Sequence, residues 1–322
     1  MVMLNAVIGD TIRQRSGHSR IYFGREVPSL LRGLYTAASG MMTQEQRHNT
    51  VTQNIANVNT TGYKATNSVQ RSFPEVLVSM IGGNDSTNAG RKLGKFNTGV
   101  YAEESISLYT EGALRETGKS TDFALVSSFT VQNPATGQPY PFDASGRYVD
   151  ENGEVIYRPE GFFTVQNENG DTRYTRNGSF RVSPNGSLLS ESGYQVLDNN
   201  SRPIVLTGSA SNFTVNEQGE IMDAEGNGTG IILGVSIVSE PHGLIREGHG
   251  VFRMADPDGE ARFMAPGDNG VIRQGFIEGS NVDPTQSMVE LTAALRAYET
   301  NQKIVQYYDR TLEKAVNEIG RV

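Results

Sequence analysis

The sequence predicts an α+β fold, in which long N- and C-terminal helices pack together in a coiled-coil-like pair and a central antiparallel β-rich domain lies between them in the chain. Three observations predict this class. The segment from Asn281 onward has a helical period that nothing interrupts before Gly320, a second such period follows Leu31, and closely spaced Asn-Gly pairs fill the middle. The 322 residues leave room for two or three domains, or for one domain with a stalk.

The C-terminal helix, expected within residues 277–322, has a clear start signal. We expect Asp283 to cap the free N–H groups, Pro284 to occupy the first turn, and Gln286 to complete a capping box. Its apolar stripe is interrupted by Gln302 and Asp309 and otherwise contains Met288, Leu291, Leu295, Tyr298, Val305, Leu312, Val316 and Ile319. A helix of about 50 Å cannot bury such a stripe against itself, so it needs a second helix.

The N-terminal helix, expected within residues 30–64, supplies a stripe of the same period. The stripe contains Leu31, Leu34, Ala38, Met41, Glu45, His48, Thr52 and Ile55. Gly33, Ala37 and Gly40 lie on one flank, where small side chains let another backbone come close. We expect the helix to begin near Ser29 and residues 1–29 to form a disordered extension. A turn should follow the helix, because its sequence is rich in Asn and Gly; we expect it to be shaped by Asn54, Asn57, Gly62 and Tyr63.

The central region divides into an irregular connector with short strands, residues 65–120, and a β-rich domain, residues 121–276. Asn-Gly pairs at 169–170, 177–178 and 185–186 recur every eight residues, which is typical of short antiparallel strands joined by tight turns. The sequence of 129–133 recurs at 163–167, and Asn152-Gly153 corresponds to Asn185-Gly186. This repeat predicts a duplicated hairpin unit.

Composition excludes several classes of function. The net charge of −8 has no long basic run, so nucleic-acid binding is not expected. The chain has no cysteine, which excludes disulfides and thiolate metal sites. No stretch approaches the roughly eighteen apolar residues of a spanning helix, so membrane insertion is not expected. The N-terminus also lacks the basic leader of a cleaved secretory signal.

Catalytic and cofactor motifs are not found in the sequence. The four histidines are scattered, the segment 256–259 departs from the spacing of a calcium loop, and no nucleophile elbow of the G-x-S-x-G kind is present. We therefore expect neither an enzyme nor a bound cofactor or metal. Carboxylates brought together from distant positions remain an open alternative.

Two terminal signatures carry a family resemblance. Residues 31–41 (LRGLYTAASGM) and 54–64 (NIANVNTTGYK) resemble the N-terminal signature of the bacterial flagellar rod and hook family. Residues 279–284, 288–291 and 296–303 (RAYETNQK) resemble its C-terminal signature. The order of the two signatures and their position at opposite ends make coincidence implausible.

This resemblance implies a structural subunit of the flagellar basal body, distal-rod-like, that polymerises helically with itself and with paralogous rod or hook subunits. It also implies export through the flagellar channel by the flagellar export apparatus. Packing would be carried by Leu31, Leu34, Met41, Ile55, Leu291, Leu295, Val305, Leu312 and Val316. Phe73 and Leu77 fit the pattern of an export element, as Phe23 to Val27 also do.

Other interpretations stay open at this point. The stretch between Asp122-Phe123 and Gly161 is longer than the family usually has, which leaves a hook or proximal-rod subunit as alternatives. From other classes, an extracellular β-rich adhesin or glycan-binding protein with a helical stalk would require a clustered aromatic surface. An enzyme acting on a cell-wall polymer would require two carboxylates facing each other across a groove.

Overall fold

The computed structural model describes residues 27–80, 91–127, 129–133, 136–143, 145–206, 213–256, 259 and 261–319. It has an N-terminal helix α1, Val27–Ala56, many short strands, and a C-terminal helix α2, Pro284–Lys314, that continues into a π-helical turn, Ala315–Ile319. These elements confirm the α+β class. Helix α1 begins before Ser29, so residues 27–29 belong to the helix and not to the predicted extension; Pro28 suits a first turn because its missing N–H would be unpaired there anyway. The rest of that extension lies outside the described residues.

Helices α1 and α2 run antiparallel against each other. Gly33 lies against the ring of Tyr308, whereas Gly40, further along α1, lies against Asn301 of α2. Still further along α1, Arg47 Nη2 lies 3.9 Å from Glu290 Oε2. Because the residue number rises along α1 as it falls along α2, the chain directions are opposite.

The start of α2 follows the cap signal only in part. Asp283 Oδ1 accepts hydrogen bonds from the backbone N–H groups of Thr285 (2.8 Å) and Gln286 (3.1 Å), as predicted. The predicted capping box is wrong, since Gln286 Nε2 donates instead to Glu290 Oε1 at 2.9 Å. The Glu290 carboxylate, one turn further along, is a strong acceptor for the N–H groups of this amide and draws the side chain away from the cap.

Seven short strands follow α1. They are β1 Thr66–Asn67, β2 Gln70–Ser72, β3 Val76–Met80, β4 Arg91–Phe96, β5 Val100–Ala102, β6 Ile106–Ser107 and β7 Leu114–Glu116. The strands are short, as predicted for the connector, but their pairing is regular: β1 pairs with β6, β2 with β5 and β3 with β4, all antiparallel. The nested pairs form one long ribbon. Its base is attached to α1 by hydrogen bonds from Thr36 Oγ1 to the Thr98 carbonyl and between the hydroxyls of Thr50 and Ser105.

The remaining strands form the β-rich part of the chain. They are β8 Phe123–Ser127, β9 Arg147–Val149, β10 Val155–Tyr157, β11 Glu160–Gln166, β12 Thr172–Thr175, β13 Arg181–Val182, β14 Leu188–Leu189, β15 Gln195–Val196, β16 Thr214–Val215, β17 Glu220–Met222, β18 Gly228–Ile232, β19 Val235–Val238, β20 Leu244–Gly248, β21 Val251–Met254, β22 Ala261–Phe263, β23 Gly270–Gln274 and β24 Phe276–Glu278. A short 3₁₀ helix, Pro241–Gly243, precedes β20. The paired strands are antiparallel throughout.

Strand β11 is the centre of the core. It pairs with β12 on one side and with β15 and β19 on the other, within a nine-stranded sheet. Both of its faces are buried: Phe163 and Val165 belong to the larger apolar cluster, and Phe162 belongs to a second cluster with Tyr109 and Phe252. A strand whose two faces are both buried needs apolar residues at successive positions, which explains the continuous apolar sequence of this segment.

The hairpin turns repeat one pattern more often than the Asn-Gly pairs predict. Eight five-residue turns among the described residues start with Asp, Asn or Ser and place a residue with positive φ fourth. They are 143–147, 150–154, 167–171, 183–187, 190–194, 198–202, 216–220 and 223–227. In seven turns the fourth residue is Gly, whereas in one it is Ser201, with φ 61°. The prediction of a hairpin turn at Asn177-Gly178 is wrong, because Gly178 lies against the Phe123 backbone in a buried loop.

The two copies of the predicted duplicated unit agree in one turn and differ elsewhere. The N–H of Gly137 donates to the carbonyl four residues before it, that of Asn133, whereas the N–H of Gly170 donates to the carbonyl three residues before it, that of Asn167. The turns 150–154 and 183–187 share their backbone hydrogen bonds. In the first copy, however, the only pairing around the turn at 133 is an isolated bridge between Gln132 and Pro139, among the described residues. The duplication therefore stays a prediction.

Candidate functional site

Helix α2 and the π-helical turn that continues it present a stripe of small and polar residues to α1. We call this stripe the inner seam: Ser287, Ala294, Asn301, Tyr308 and Ala315. These positions recur every seven residues and are buried or half-buried. Tyr308 and Asn301 fit because their counterparts on α1 are Gly33 and Gly40. A Cβ at Gly40 would lie 2.8 Å from Asn301 Nδ2, and one at Gly33 would overlap the Tyr308 hydroxyl.

The more apolar stripe of α2 is not covered. We call the positions one residue further on the outer seam: Met288, Leu295, Gln302, Asp309 and Val316. Met288 is 59 %, Leu295 42 % and Val316 71 % exposed, and both polar members are exposed as well. Leu291, Tyr298, Val305 and Leu312 lie between the two seams and are half-buried. Of the stripe predicted to pair the helices, these four residues border the contact with α1, and the outer-seam residues lie on the uncovered flank of α2.

The predicted packing residues therefore fall into two groups. Leu291, Val305 and Leu312 are half-buried, whereas Leu295 and Val316 point away from α1. On α1, Leu34, Met41 and Ile55 are half-buried, and the side chain of Leu31 lies outside the described residues. Helix α1 also has two outward apolar side chains seven residues apart, Tyr35 and Met42.

The predicted turn motif is located where the helices meet the β-rich part. Asn54 is buried and serves four groups: its Nδ2 donates to the Thr66 carbonyl (2.7 Å), and its Oδ1 accepts from Thr66 N, Thr66 Oγ1 and the Tyr63 hydroxyl. The Tyr63 ring is covered by the Arg246 guanidinium, 4.6 Å from the ring centroid. Asn57 shapes the helix end by donating to the Gln53 carbonyl and accepting from Thr60 Oγ1.

Gly62 makes the closest approach in this motif. It has φ 66°, and its N–H donates to the Glu278 carbonyl at 2.8 Å. A Cβ there would lie 2.5 Å from the backbone carbon of Arg176. Only glycine combines this left-handed conformation with such close backbone contact, so the structure gives the N-terminal signature a steric reason.

A buried ion network, which we call the junction, joins three distant segments: Lys64, Arg176 and Glu278. Lys64 Nζ donates to Glu278 Oε1 at 2.8 Å, and Arg176 Nε and Nη2 both lie 2.9 Å from Glu278 Oε2. All three side chains are almost fully buried. Both cations make further hydrogen bonds, since Lys64 also donates to the Thr110 carbonyl and Arg176 Nη1 to the Gly161 carbonyl. The junction ties the end of the N-terminal motif and the start of the C-terminal motif to the sheet.

The electrostatics of the junction follow from its charge balance. Burial on its own would raise the pKa of Glu278, but the charges of Arg176 and Lys64, with their hydrogen bonds, outweigh it and lower that pKa from 4.5 to about 2. Glu160, also buried, lies near the same cations. Burial raises the pKa of Glu160, and the positive charges of Arg176 and Arg158 partly oppose this rise. The junction is therefore held by a carboxylate that stays ionised in mild acid.

Asn281 completes the link between the two terminal motifs. Its Oδ1 accepts from Ala65 N at 2.6 Å, and its Nδ2 donates to the Leu108 carbonyl at 2.8 Å. Sequence reasoning missed the roles of Lys64, Arg176, Glu278 and Asn281. Lys64 and Asn281 stood inside the quoted signatures, but nothing local marked Arg176 or Glu278.

The candidate export element, Phe73 to Leu77, lies in the ribbon, between the end of β2 and the second residue of β3. Phe73 is exposed, and the centroid of its ring lies 5.2 Å from that of Tyr101. Leu77 lies in β3, and its side chain is outside the described part of the structure. Within the described part of the chain, no group of three or more His, Asp or Glu side chains could hold a metal ion. No helix in that part has the length and apolarity to cross a membrane.

Comparisons with known proteins identify the class to which this architecture belongs. Residues 34–64 match the family described as "Flagella basal body rod protein", residues 158–223 match "Flagellar hook protein FlgE/F/G D1 domain", and residues 273–318 match "Flagellar basal body rod FlgEFG protein C-terminal". The first match contains most of α1 and all four residues of the turn motif, and the last contains the whole of α2. The class is that of flagellar axial proteins.

Curated relatives match along almost the whole chain. The flagellar hook-basal body complex protein FlhO of Bacillus subtilis is 35% identical over 297 residues, which is 91% of this chain and 100% of that protein. The flagellar basal-body rod proteins FlgG of B. subtilis and Borreliella burgdorferi are each 28% identical, over 89% of this chain and 99% and 98% of theirs.

The chain belongs to the flagellar basal-body rod and hook family. Its relatives place it in the basal body of the bacterial flagellum. The family is one of structural components. These comparisons give no support to the adhesin alternative.

Proposed function

We propose that this chain is a distal-rod-like structural subunit of the flagellar basal body, which polymerises helically with copies of itself and with paralogous subunits through its terminal helices. Full-length similarity to proteins named FlgG, a basal-body rod protein, and to FlhO supports this reading. A hook or proximal-rod subunit is the second candidate, because one matched family description covers FlgE, FlgF and FlgG together.

The uncovered outer seam is the observation that carries the proposal. Met288, Leu295 and Val316 share one side of α2 at multiples of seven residues and are exposed in the isolated chain. Burying one such side chain contributes about 1.5–3 kcal/mol, so the monomer leaves several kcal/mol of packing free energy unused. A neighbouring helix of another subunit would recover it, giving α2 a partner on both sides in a coiled-coil-like arrangement.

The domain division supports the same function. We propose the boundaries 30–64 for the N-terminal helix and turn, 65–120 for the connector, 121–276 for the β-rich domain and 277–322 for the C-terminal helix. Packing between subunits would involve Leu31, Leu34, Met41 and Ile55 of α1, and Leu291, Leu295, Val305, Leu312 and Val316 of α2. Asn54, Asn57, Gly62 and Tyr63 would hold the helices in a fixed direction on the β-rich domain. Residues 73–77 are the candidate export element within the same proposal.

Leu295→Asp tests the proposed assembly. Since Leu295 faces away from α1, we expect the variant monomer to fold and to have the same far-UV circular dichroism as the unaltered chain. We expect the substitution to abolish both incorporation into basal bodies and motility. Ala293→Asp is the control, because Ala293 is also exposed and lies about 200° around the helix from Leu295. Normal swimming of cells that carry only Leu295→Asp would refute the proposal.

Electron microscopy of basal bodies from cells without the gene separates the two candidates. A distal-rod-like subunit predicts structures that stop within the rod. A complete rod without a hook would instead favour the hook subunit, and a missing rod base would favour the proximal one.

A further inference from the structure

The outer seam has two polar residues at its centre. Gln302 and Asp309 occupy successive seam positions between Leu295 and Val316, and both are exposed. Among the described residues, neither side chain has a hydrogen-bond or ion-pair partner. In an isolated helix these residues would simply be solvated, but within a seam that becomes buried they must find donors or lower the stability of the contact.

We propose that Gln302 and Asp309 fix the register of the contact between α2 and α1 of a second copy of this chain, and keep that contact weak enough that free subunits stay monomeric. The inference rests on the proposed assembly through the outer seam. Polar residues at seam positions of helix pairs restrict pairing to the registers that satisfy them, at a cost in stability. A seam that was apolar throughout would also pair after slipping by seven residues, about 10.5 Å.

The outward side of α1 has the complementary pattern. Tyr35, Met42 and Asn49 are exposed and seven residues apart, so two apolar side chains are followed by an amide. Helix α2 reads in the same order, with Met288, Leu295 and Gln302. When the two helices lie side by side in the same chain direction, the two apolar residues of α1 face the two apolar residues of α2. Asn49 then faces Gln302, and their side-chain amides can form hydrogen bonds.

Slipped registers are penalised by the same residues. A shift of one heptad places Gln302 against Met42, although Asp309 then lies against Asn49. In the unshifted register Asp309 lies against Ala56, the last residue of α1, where the contact ends. A shift of two heptads places Gln302 against Tyr35 and Asp309 against Met42, which would bury a carboxylate without a donor. Only the unshifted register leaves both apolar residues of α1 facing apolar residues of α2. This match is the reason for assigning the seam to a second copy of the chain.

The double variant Gln302→Leu/Asp309→Leu tests the effect on strength. We expect the full-length unaltered chain to be monomeric in dilute solution by sedimentation equilibrium, and the double variant to self-associate at least about tenfold more tightly. Lys303→Leu/Arg310→Leu is the matched control, since both residues are exposed, have the same spacing and lie one residue off the seam. A monomeric double variant would overturn the proposal, and so would a control that associates equally.

Removal of residues 1–26 tests whether the chain's own N-terminal segment covers the seam. We expect the shortened chain to remain monomeric. If it associates as tightly as the double variant, the segment and not the polar pair limits association, and the proposal fails.

Cross-linking tests the register itself. Because the chain has no cysteine, single cysteines are unique reporters. In basal bodies that contain a mixture of Met42→Cys and Leu295→Cys subunits, we expect more disulfide-linked pairs than in a mixture of Met42→Cys and Gln302→Cys. Equal or reversed yields would overturn the register. Such a result would leave the proposed function intact if Leu295→Asp still blocks assembly.

Discussion

Replacing Glu278 with Gln removes the only carboxylate that contacts both Lys64 and Arg176 within the described junction. Glu278 accepts hydrogen bonds from Lys64 Nζ, Arg176 Nε and the backbone N–H of Gly112. A glutamine has the same shape but no charge, and one of its two terminal atoms would be a donor facing a cation. Lys64 and Arg176 would then lack the carboxylate that contacts them directly, and Glu160 would be the remaining buried acid near them.

The cost of this substitution follows from the electrostatics of the junction. Lowering the pKa of Glu278 from 4.5 to about 2 corresponds to about 3 kcal/mol of folding free energy at neutral pH, at about 1.36 kcal/mol per pH unit. Breaking a buried ion pair by removing one partner costs about 3–5 kcal/mol. We therefore expect Glu278→Gln to lower the free energy of unfolding by at least about 3 kcal/mol at pH 7.

Urea unfolding followed by far-UV circular dichroism measures this loss. Glu103→Gln is the control: it breaks the exposed ion pair with Arg71 and should cost less than about 1 kcal/mol. The pKa of Glu278 is lowered in the folded chain, so its contribution is complete above pH 4.5 and decreases as the pH falls towards 2. The difference between the two chains should shrink over that interval. A loss below 1 kcal/mol at pH 7, or a difference independent of pH, would refute the reasoning.

Two further predictions concern the backbone. Gly62→Ala should destabilise the chain by at least about 2 kcal/mol in the same urea assay, because the new Cβ clashes with the Arg176 backbone in addition to the cost of positive φ. The control Gly118→Ala, with φ 67° and open space around it, should cost only about 1–2 kcal/mol. Equal losses for the two variants would contradict the steric explanation. Ser201→Gly should raise the thermal unfolding midpoint, because Ser201 has the left-handed conformation that Gly adopts without strain in the equivalent turns. Gly193→Ser should lower the midpoint for the same reason. A lower midpoint for Ser201→Gly would be inconsistent with strain at this turn.

The helices were predictable because their signals are local. Asp283 and Pro284 mark a start, no breaker follows before Gly320, and the apolar period is sustained. The face that α1 covers was not predictable from apolarity. Its members on α2 include the small residues Ser287 and Ala294, and Asn301, which lies against Gly40. Small and polar side chains leave little apolar signal in a sequence.

The junction could not be predicted for a different reason. Lys64, Arg176 and Glu278 are separated from one another by more than a hundred residues. They meet where the turn at Gly62 is hydrogen-bonded to Glu278 and the loop after β12 approaches both. The turns show an intermediate case. Asn-Gly pairs identified some of them, but the shared pattern of an Asp, Asn or Ser followed three residues later by Gly identifies seven of the eight, including those without Asn-Gly.

The network also explains how one chain can present two terminal helices in a fixed direction. The end of α1, the start of α2 and the sheet meet at Gly62, Glu278 and Asn281, where backbone and side-chain hydrogen bonds leave little freedom. Beyond this point the helices contact mainly each other and the ribbon of β1 to β6. Their outer surfaces are therefore presented by a rigid base, which a subunit that packs against its neighbours requires.

The central claim is that the outer seam of α2 is open in the free subunit and covered in the basal body. Modification of a single Leu295→Cys by a maleimide tests it directly, with Val182→Cys, half-buried in the β-rich part, as a reference for basal reactivity. We expect rapid modification of the purified monomer and strong protection in isolated basal bodies. Equal modification in both would contradict the account, because the seam would then be exposed where it should be packed.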